Sequence, residues 1–295
     1  MISFDIPKEE FLRNYFDQKP FFQRNAVTQT AINWSALNSL IYAWDLAAGG
    51  FIVHYNGVLP PSEYSETYQD IEVLRSRLNP DKLEHLFAQG ATLVLNRIDK
   101  RSSVIGEICA GLAKITEEKT VANGYIAFGG PGTFSKHWDT HDVLAVQLLG
   151  KKLWKVYEPT FQWPLPQQRS RDCKAECPRN PVFEKILLPG DVLYLPRGWW
   201  HEALPISGTP TFHIAAGIHT AKTIDYVQWA LQEVMPQFVE ARKALLITSP
   251  DEDRIREFLD CTMAALMDPA LIQRFIIQLR AMGNEYRSVD LNRLV

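Results

Sequence analysis

Between residues 91 and 220 the chain falls into short apolar runs broken at close intervals by Gly, Pro and Asp, and that rhythm limits what it can become. The runs read "ATLVLNRI", "GYIAFGG", "DVLAVQLLG", "KLWKVYE", "KILLPGDVLYLP" and "TFHIAAGIHT". Each is rich in β-branched or aromatic residues and too short for a buried helix, so the spacing predicts a sheet sandwich or barrel. The polar, Pro- and Arg-bearing stretch from Glu158 to Pro181 reads as a surface loop between strands.

The flanks follow a different period. In "PKEEFLRNYFDQ", Phe11, Leu12, Tyr15 and Phe16 share one helical face, and residues 4–48 read as mixed helix and loop. A short helix is expected in "NPDKLEHLFAQ". Beyond Thr220 the pattern turns helical: Val227, Ala230, Leu231, Val234, Met235 and Phe238 follow three-four spacing. A capping box of Ser249 and Glu252 with Pro250 opens a second helix, and Asp268 with Pro269 opens a third that stops at Gly283. The expected organisation is residues 1–220 as the sheet domain with N-terminal helical elements, and residues 221–295 as a helical segment. The apolar stripes of that segment could lie on the sheet domain or pair with a second copy; a homodimer is the expectation.

Composition excludes several classes. With 31 basic against 34 acidic residues the net charge is −3, which offers no overall pull toward nucleic acid or an anionic membrane. No apolar run is long enough to span a bilayer, and "MISFDIPKEEFLRNYF" lacks the pattern of a secretory signal. Four cysteines, Cys109, Cys173, Cys177 and Cys261, are too few for a disulfide scaffold and fit a reducing, cytoplasmic setting. Cys173 and Cys177 lack a second pair nearby to complete a zinc site and read as loop residues.

The chemistry concentrates in "SKHWDTHDV", residues 135–143. Along a strand, His137 and Asp139 point to the same side while Trp138 faces away. An H-x-D alone occurs by chance in many sheets. Here "LPGDVLYLPRGWWHEAL" follows about sixty residues later, with a Pro-Arg-Gly turn leading into His201. Two histidines and one carboxylate on one face of a metal leave the opposite positions open, the arrangement of non-haem Fe(II) oxygenases. His141 shares the parity of the ligands and could face the pocket or its rim, whereas Asp142 reads as a turn or supporting residue. His54, His85 and His219 carry no motif, and Trp199 and Trp200 are expected to pack beneath His201.

On these residues the chain resembles the Jumonji-C (JmjC) oxygenases, most closely their ribosomal oxygenase branch. The resemblance rests on "NGYIAFGGPGTFSKHWDTHDVLAVQLLGKKLWKVYEP" and "LLPGDVLYLPRGWWHEA", with "FLRNYFDQKPFFQRN" and "GATLVLN" extending it over nearly the whole chain. It implies a mainly β, α+β fold with a double-stranded β-helix (cupin, jelly-roll) core and a C-terminal helical segment. It implies Fe(II) and 2-oxoglutarate as cofactors, and hydroxylation of a side-chain carbon of a protein or peptide with release of succinate and CO2. The implied ligands are His137, Asp139 and His201. Lys152 would clamp the far carboxylate of 2-oxoglutarate, because a buried carboxylate is costly unless paired, with Lys151 out of phase beside it. Asn123 would hydrogen-bond the oxoacid or order the metal site, and Tyr125 would sit near cofactor or substrate.

Two departures are visible. The branch usually carries hydroxyl-bearing residues late in the barrel, where this chain reads "TFHIAAG"; Thr211 and His213 are retained, but Ala215 and Gly217 supply no hydroxyl. The branch also continues into a winged-helix domain, for which the residues up to Val295 leave no room. A ribosomal protein or a natural-product precursor peptide is the expected substrate. The rival readings are a cupin using another metal for isomerisation or hydrolysis, and a non-catalytic dimeric binding protein.

Overall fold

The computed structural model describes residues 2–28, 31–130, 132, 134–245, 248 and 251–281. It divides at Thr220 into two compact units.

Among the described residues the first unit holds twelve strands: β1 (Phe21–Gln23), β2 (Phe51–His54), β3 (Ser65–Asp70), β4 (Val73–Leu78), β5 (Thr92–Leu95), β6 (Lys119–Ala127), β7 (Asp142–Leu149), β8 (Lys152–Tyr157), β9 (Phe183–Leu187), β10 (Val192–Leu195), β11 (Trp200–Pro205) and β12 (Thr211–His219). Seven form one sheet in the order β1-β10-β7-β12-β6-β5-β2, three form a second in the order β11-β8-β9, and β3 and β4 make a separate hairpin. From β6 onward the chain passes back and forth between the two main sheets, as the strand rhythm anticipates.

Period-two alternation sorts the side chains. Along β12, Phe212, Ile214, Ala216 and Ile218 are all fully buried in the larger core, together with Leu144 and Val146 of β7 and Ala122 and Ile126 of β6. Each large apolar side chain buried in this way contributes about 1.5–3 kcal/mol. The opposite faces look toward the smaller sheet. There Ala145, Leu193 and Leu195 meet Trp154, Val156 and Leu187 in a second core that joins the two sheets. The same opposite parity carries Asn123, Tyr125, His213 and Ala215, so the site and the main core lie on opposite faces of one sheet.

Helices α1 (Lys8–Asn14), α2 (Trp34–Tyr42), α3 (Pro80–Ala88) and α4 (Ser103–Thr116) cover the core side. Helix α1 is shorter than its pattern suggests, because the backbone leaves the helix at Tyr15. Tyr15 nonetheless packs on Phe11 and Phe21, at ring separations of 6.4 and 4.8 Å. The strand rhythm gives no warning of α4, although Ile105, Ile108, Cys109 and Leu112 bury one face at helical spacing. Ser102 caps it, accepting the Ile105 N–H at 3.4 Å.

The second unit contains α5 (Thr223–Val234), α6 (Val239–Arg242), α7 (Glu252–Leu266) and α8 (Pro269–Ala281). Tyr226 donates to the Leu266 carbonyl at 2.6 Å, Trp229 Nε1 donates to Gln278 at 2.9 Å, and Phe275 meets the Tyr226 ring edge-on at 5.4 Å and the Trp229 ring at a tilt at 5.2 Å. Asp251 caps α7, accepting the Arg254 N–H at 3.0 Å. The expected cap at Ser249 with Pro250, and the stop at Gly283, lie outside the described residues. Asp268 and Pro269 do open α8, with Asp268 accepting the Ala270 N–H at 2.9 Å. No described helix is long and apolar enough to cross a membrane.

Candidate metal centre

His137 and Asp139 do not sit on a regular strand, contrary to the expectation from alternation, since β7 begins only at Asp142. Their backbone groups are taken by the turn and strand that carry His201. His137 and His201 pair as an antiparallel bridge, and the Gly198 N–H donates to the Asp139 carbonyl at 3.0 Å. Gly198 holds this turn at φ +85°, and a Cβ there would lie 2.6 Å from the Phe161 carbonyl oxygen, so glycine is required.

The result is a cluster. One ligand atom from each of His137, Asp139 and His201 lies within 4.8 Å of the others, and His201 Nε2 is 3.6 Å from Asp139 Oδ2. The tautomers follow from their partners. His137 Nδ1 lies 2.8 Å from the Ser135 carbonyl and His201 Nδ1 lies 3.0 Å from the Trp199 carbonyl. A carbonyl only accepts, so each Nδ1 carries a proton and Nε2 is the nitrogen left for the cluster. Burial by itself would raise the Asp139 carboxyl pKa, but the rings of His201, His137 and His141 outweigh it and hold it below the usual value. Burial first, then His137, lowers His201 and keeps it neutral. A neutral His201 and an ionised Asp139 are protonation states that suit a divalent cation.

The cluster opens into a cavity of about 290 Å³ between the two sheets, lined also by Thr92, Tyr125, Phe134, Lys152, Trp154 and His213. Lys152 is buried, while Lys151 is exposed. Among the described residues Lys152 has no hydrogen-bond or ion-pair partner, and burial pushes its pKa down to about 7. His213 stacks on Tyr125 with ring centres 4.9 Å apart, and its Nδ1 is buried without a partner among the described residues. Burial, followed by the charge of Lys152, lowers its pKa well below the usual value. Burial first, with Asp139 second, raises Tyr125 to about 12, so its hydroxyl keeps its proton. A buried cation and a buried ring nitrogen left unsatisfied in one cavity are costly alone and fit an anionic ligand.

Other expectations are altered. Asn123 accepts the Arg97 N–H at 3.0 Å and lies beside the Tyr125 hydroxyl, but it does not line the cavity. Trp200 is fully buried against Trp138 and Tyr157, and its indole donates to Thr160 at 2.9 Å. Trp199 instead donates to the Gln18 carbonyl at 3.3 Å. The indole stacked on His201 is Trp154, at 6.2 Å and an interplanar angle of 25°, and it meets His213 edge-on at 5.4 Å. Its position two residues after Lys152, on the same strand face, was the available signal.

Asp142 is fully buried and accepts both the Tyr194 hydroxyl and the Arg197 N–H, the latter at 3.0 Å, so it anchors the turn before His201. His141 is exposed and lies over Gly217, where a Cβ would come within 2.9 Å of the imidazole. The missing hydroxyl at 217 and the histidine at 141 therefore occupy the same space. Cys173 and Cys177 are both free and pack against the Trp138, Tyr157 and Trp200 cluster.

Strands that alternate between two facing sheets, with a two-histidine, one-aspartate cluster between them, define a cupin, the double-stranded β-helix class. Residues 102–226 match the family model of the JmjC domain. It is 26% identical over 244 residues to ribosomal oxygenase 1 of Gallus gallus, covering 80% of this chain and 40% of that protein. It is 24% identical over 236 residues to the bifunctional lysine-specific demethylase and histidyl-hydroxylase NO66 of Drosophila pseudoobscura pseudoobscura, covering 78% of this chain and 23% of that one. The chain thus spans less than half the length of these relatives. Among solved structures, the ribosomal oxygenase YcfD of Escherichia coli, in complex with cobalt and 2-oxoglutarate, superposes with a TM-score of 0.58 at 15% identity, covering 98% of this chain and 75% of that one.

Proposed function

We propose that the chain is an Fe(II)- and 2-oxoglutarate-dependent hydroxylase acting on a side-chain carbon of a protein or peptide. One observation carries the reading: the His137, Asp139 and His201 cluster shares its cavity with Lys152, a buried cation without a partner among the described residues. The donor set suits Fe(II), and the cavity volume is at the small end of the roughly 300–1,000 Å³ usual for ligand sites, the right scale for a small dicarboxylic acid. His137, Asp139 and His201 would hold the metal, and Lys152 the far carboxylate of 2-oxoglutarate. When bound, these cofactors supply the oxidising chemistry, in which dioxygen and the oxoacid yield succinate, CO2 and a hydroxyl group on an unactivated carbon.

The protein's own share is orientation and exclusion of water. The Nδ1 hydrogen bonds to Ser135 and Trp199 fix both imidazoles with Nε2 forward. Trp154 holds the His201 and His213 rings from one side. Tyr125, protonated and stacked on His213, presents a donor beside the cluster, while Asn123 orders Tyr125 rather than reaching into the cavity.

The relatives' names point to a ribosomal protein as the substrate class; a natural-product precursor peptide would present the same chemistry to the site. A cupin with another metal performing isomerisation or hydrolysis would have no use for Lys152. A homodimer through the C-terminal helices is supported by Leu259, Met263 and Met267, which recur every four residues on α7 and its C-terminal boundary and are 52, 57 and 73% exposed. Four free cysteines suit a reducing cytoplasm.

The test is succinate formation from 2-oxoglutarate under Fe(II) and oxygen without added substrate, comparing the native protein with His137→Ala. Slow turnover in the native protein alone is the expected result. Equal signals from both, with metal and oxoacid binding also absent, would reject the oxygenase in favour of the other-metal or binding-protein reading.

A further inference from the structure

A second cavity of the first unit lies apart from the one that holds the metal cluster and is larger than it. It is a groove of about 1270 Å³ between α2, the β3–β4 hairpin and α3, with Phe128 in its lining. That volume exceeds the roughly 300–1,000 Å³ of small-molecule sites. Its walls are aromatic: Phe128 is 39% exposed and packs on Phe87 and Trp34 at 4.8 and 5.8 Å. Tyr42 stands at the edge with 92% of its surface in solvent. Nothing in the cofactor chemistry uses these residues.

Charge chooses among occupants. The groove is lined by three carboxylates, Asp45, Glu66 and Glu84, against one guanidinium, Arg77. Arg77 is already committed to Glu66 at 2.8 Å. Glu84 is exposed and has no hydrogen-bond or ion-pair partner among the described residues. A nucleic acid or acidic segment would be repelled, and a cationic one attracted. The aromatic wall suits the same ligand, since a guanidinium stacks on aromatic faces. Trp44 shows this within the chain, holding the Arg101 guanidinium 4.2 Å from its ring centre.

Position ties the groove to the centre. Phe128 lines the groove, while Phe134 and His137, on the same connection from β6, line the metal cavity. Nine residues separate Phe128 from His137, so at most about 30 Å lies between them. An extended segment of about ten residues spans that distance.

We propose that this groove is a docking site for an arginine-bearing segment of the polypeptide substrate, held apart from the residue that enters the metal cavity. The inference rests on the hydroxylase reading for its occupant. The arginine side chains stack on the aromatic wall and pair with Glu84, which raises the local concentration of the target residue at the centre.

The experiment uses fluorescein-labelled random dodecapeptide pools, one with arginine and one with glutamate fixed at three positions. Each is titrated by fluorescence anisotropy, with Fe(II) present and oxygen excluded, into the native protein and the Glu84→Lys, Tyr42→Ala and Asp139→Ala variants. Glu84 and Tyr42 are solvent-exposed, so their variants retain the native melting temperature. The expected result is that the arginine pool binds native and Asp139→Ala protein alike, that Glu84→Lys weakens it at least tenfold and Tyr42→Ala several-fold, and that the glutamate pool does not bind. Equal binding of both pools, no binding of either, or indifference to Glu84→Lys and Tyr42→Ala overturns the inference. A change of sedimentation-determined association state in these two variants, with neither pool bound, assigns the groove to a second copy of the chain and also overturns it. Succinate formation without peptide is followed in parallel. Its absence from the native protein rejects the oxygenase, while the peptide titrations still decide the groove.

Discussion

His137 and His201 hydrogen-bond to each other through their backbones in both directions, the His137 N–H donating to the His201 carbonyl at 3.1 Å and the reverse bond at 2.8 Å. Sixty-four positions apart in sequence, the two imidazoles are brought to a ring separation of 4.4 Å by this pairing together with their Nδ1 bonds to Ser135 and Trp199. Their spacing is therefore set before any ion arrives, and Asp139 completes the set from the same segment.

That preorganisation makes Asp139 separable from the fold. Asp139→Ala is expected to melt within a few degrees of the native protein in a metal-free buffer, because the backbone bridge remains. Adding Co(II) or Fe(II) at a hundredfold excess over Kd should stabilise the native protein by about 2.7 kcal/mol. The variant should show no such gain, as read by thermal melts with and without the ion.

Lys152 carries a stability cost that depends on pH. Burial lowers its pKa to about 7 in the folded protein, against an ordinary value of 10.5. Between these values the unfolded chain binds more protons than the folded one, so this residue makes stability rise as pH climbs from about 7 to 10.5. Lys152→Met should abolish that slope and be more stable than the native protein at pH 7 by an amount on the order of a few kcal/mol. The same variant should lose 2-oxoglutarate binding, measured by calorimetry. A slope that survives the substitution would place its origin elsewhere.

Gly217 and His141 compete for one volume. Restoring a hydroxyl with Gly217→Ser forces the imidazole away from a contact of 2.9 Å. The single change is expected to lower stability by about 1 kcal/mol, and His141→Ala in the same chain to return most of it. A double-mutant cycle by urea denaturation reads the coupling; strict additivity would show that the ring swings aside freely.

The apolar stripe on the second unit should hold two copies together. Met263 is 57% exposed between Leu259 and Met267. Met263→Glu places a charge in the centre of that stripe and is expected to convert a dimer to a monomer in sedimentation velocity, with succinate formation retained. A native protein that sediments as a monomer at all concentrations would remove the dimer reading.

The parts legible in the sequence are those governed by local periodicity. Strands β6, β7, β8, β10 and β12 announce themselves as short β-branched or aromatic runs between Gly, Pro and Asp, and His137, Asp139 and His201 stand out through residue type and spacing. What escapes is decided by which strands abut. Strand β11 begins at Trp200, inside a segment that reads as the end of a turn, and only its pairing with β8 makes it a strand. The fit of Trp154 between His201 and His213 needs β8, β11 and β12 to be brought together, which no single segment encodes. Asn123 shares the parity of Tyr125, yet the nearby Arg97 N–H claims its carbonyl, a contact 26 residues away in sequence. Even the H-x-D joins His201 by a route that alternation does not predict, through a bridge and a turn instead of a regular strand.

The division of labour along β12 has a consequence for how such a chain diversifies. Phe212, Ile214, Ala216 and Ile218 serve the main core, while Thr211, His213, Ala215 and Gly217 face the other way. Substitutions at odd positions can alter ligand preference while the even positions keep the protein folded. A single-residue insertion or deletion in this strand would exchange the two sets and damage both at once. Descent within this fold should therefore favour point replacements on alternate residues of β12 and concentrate changes of length in its connecting loops.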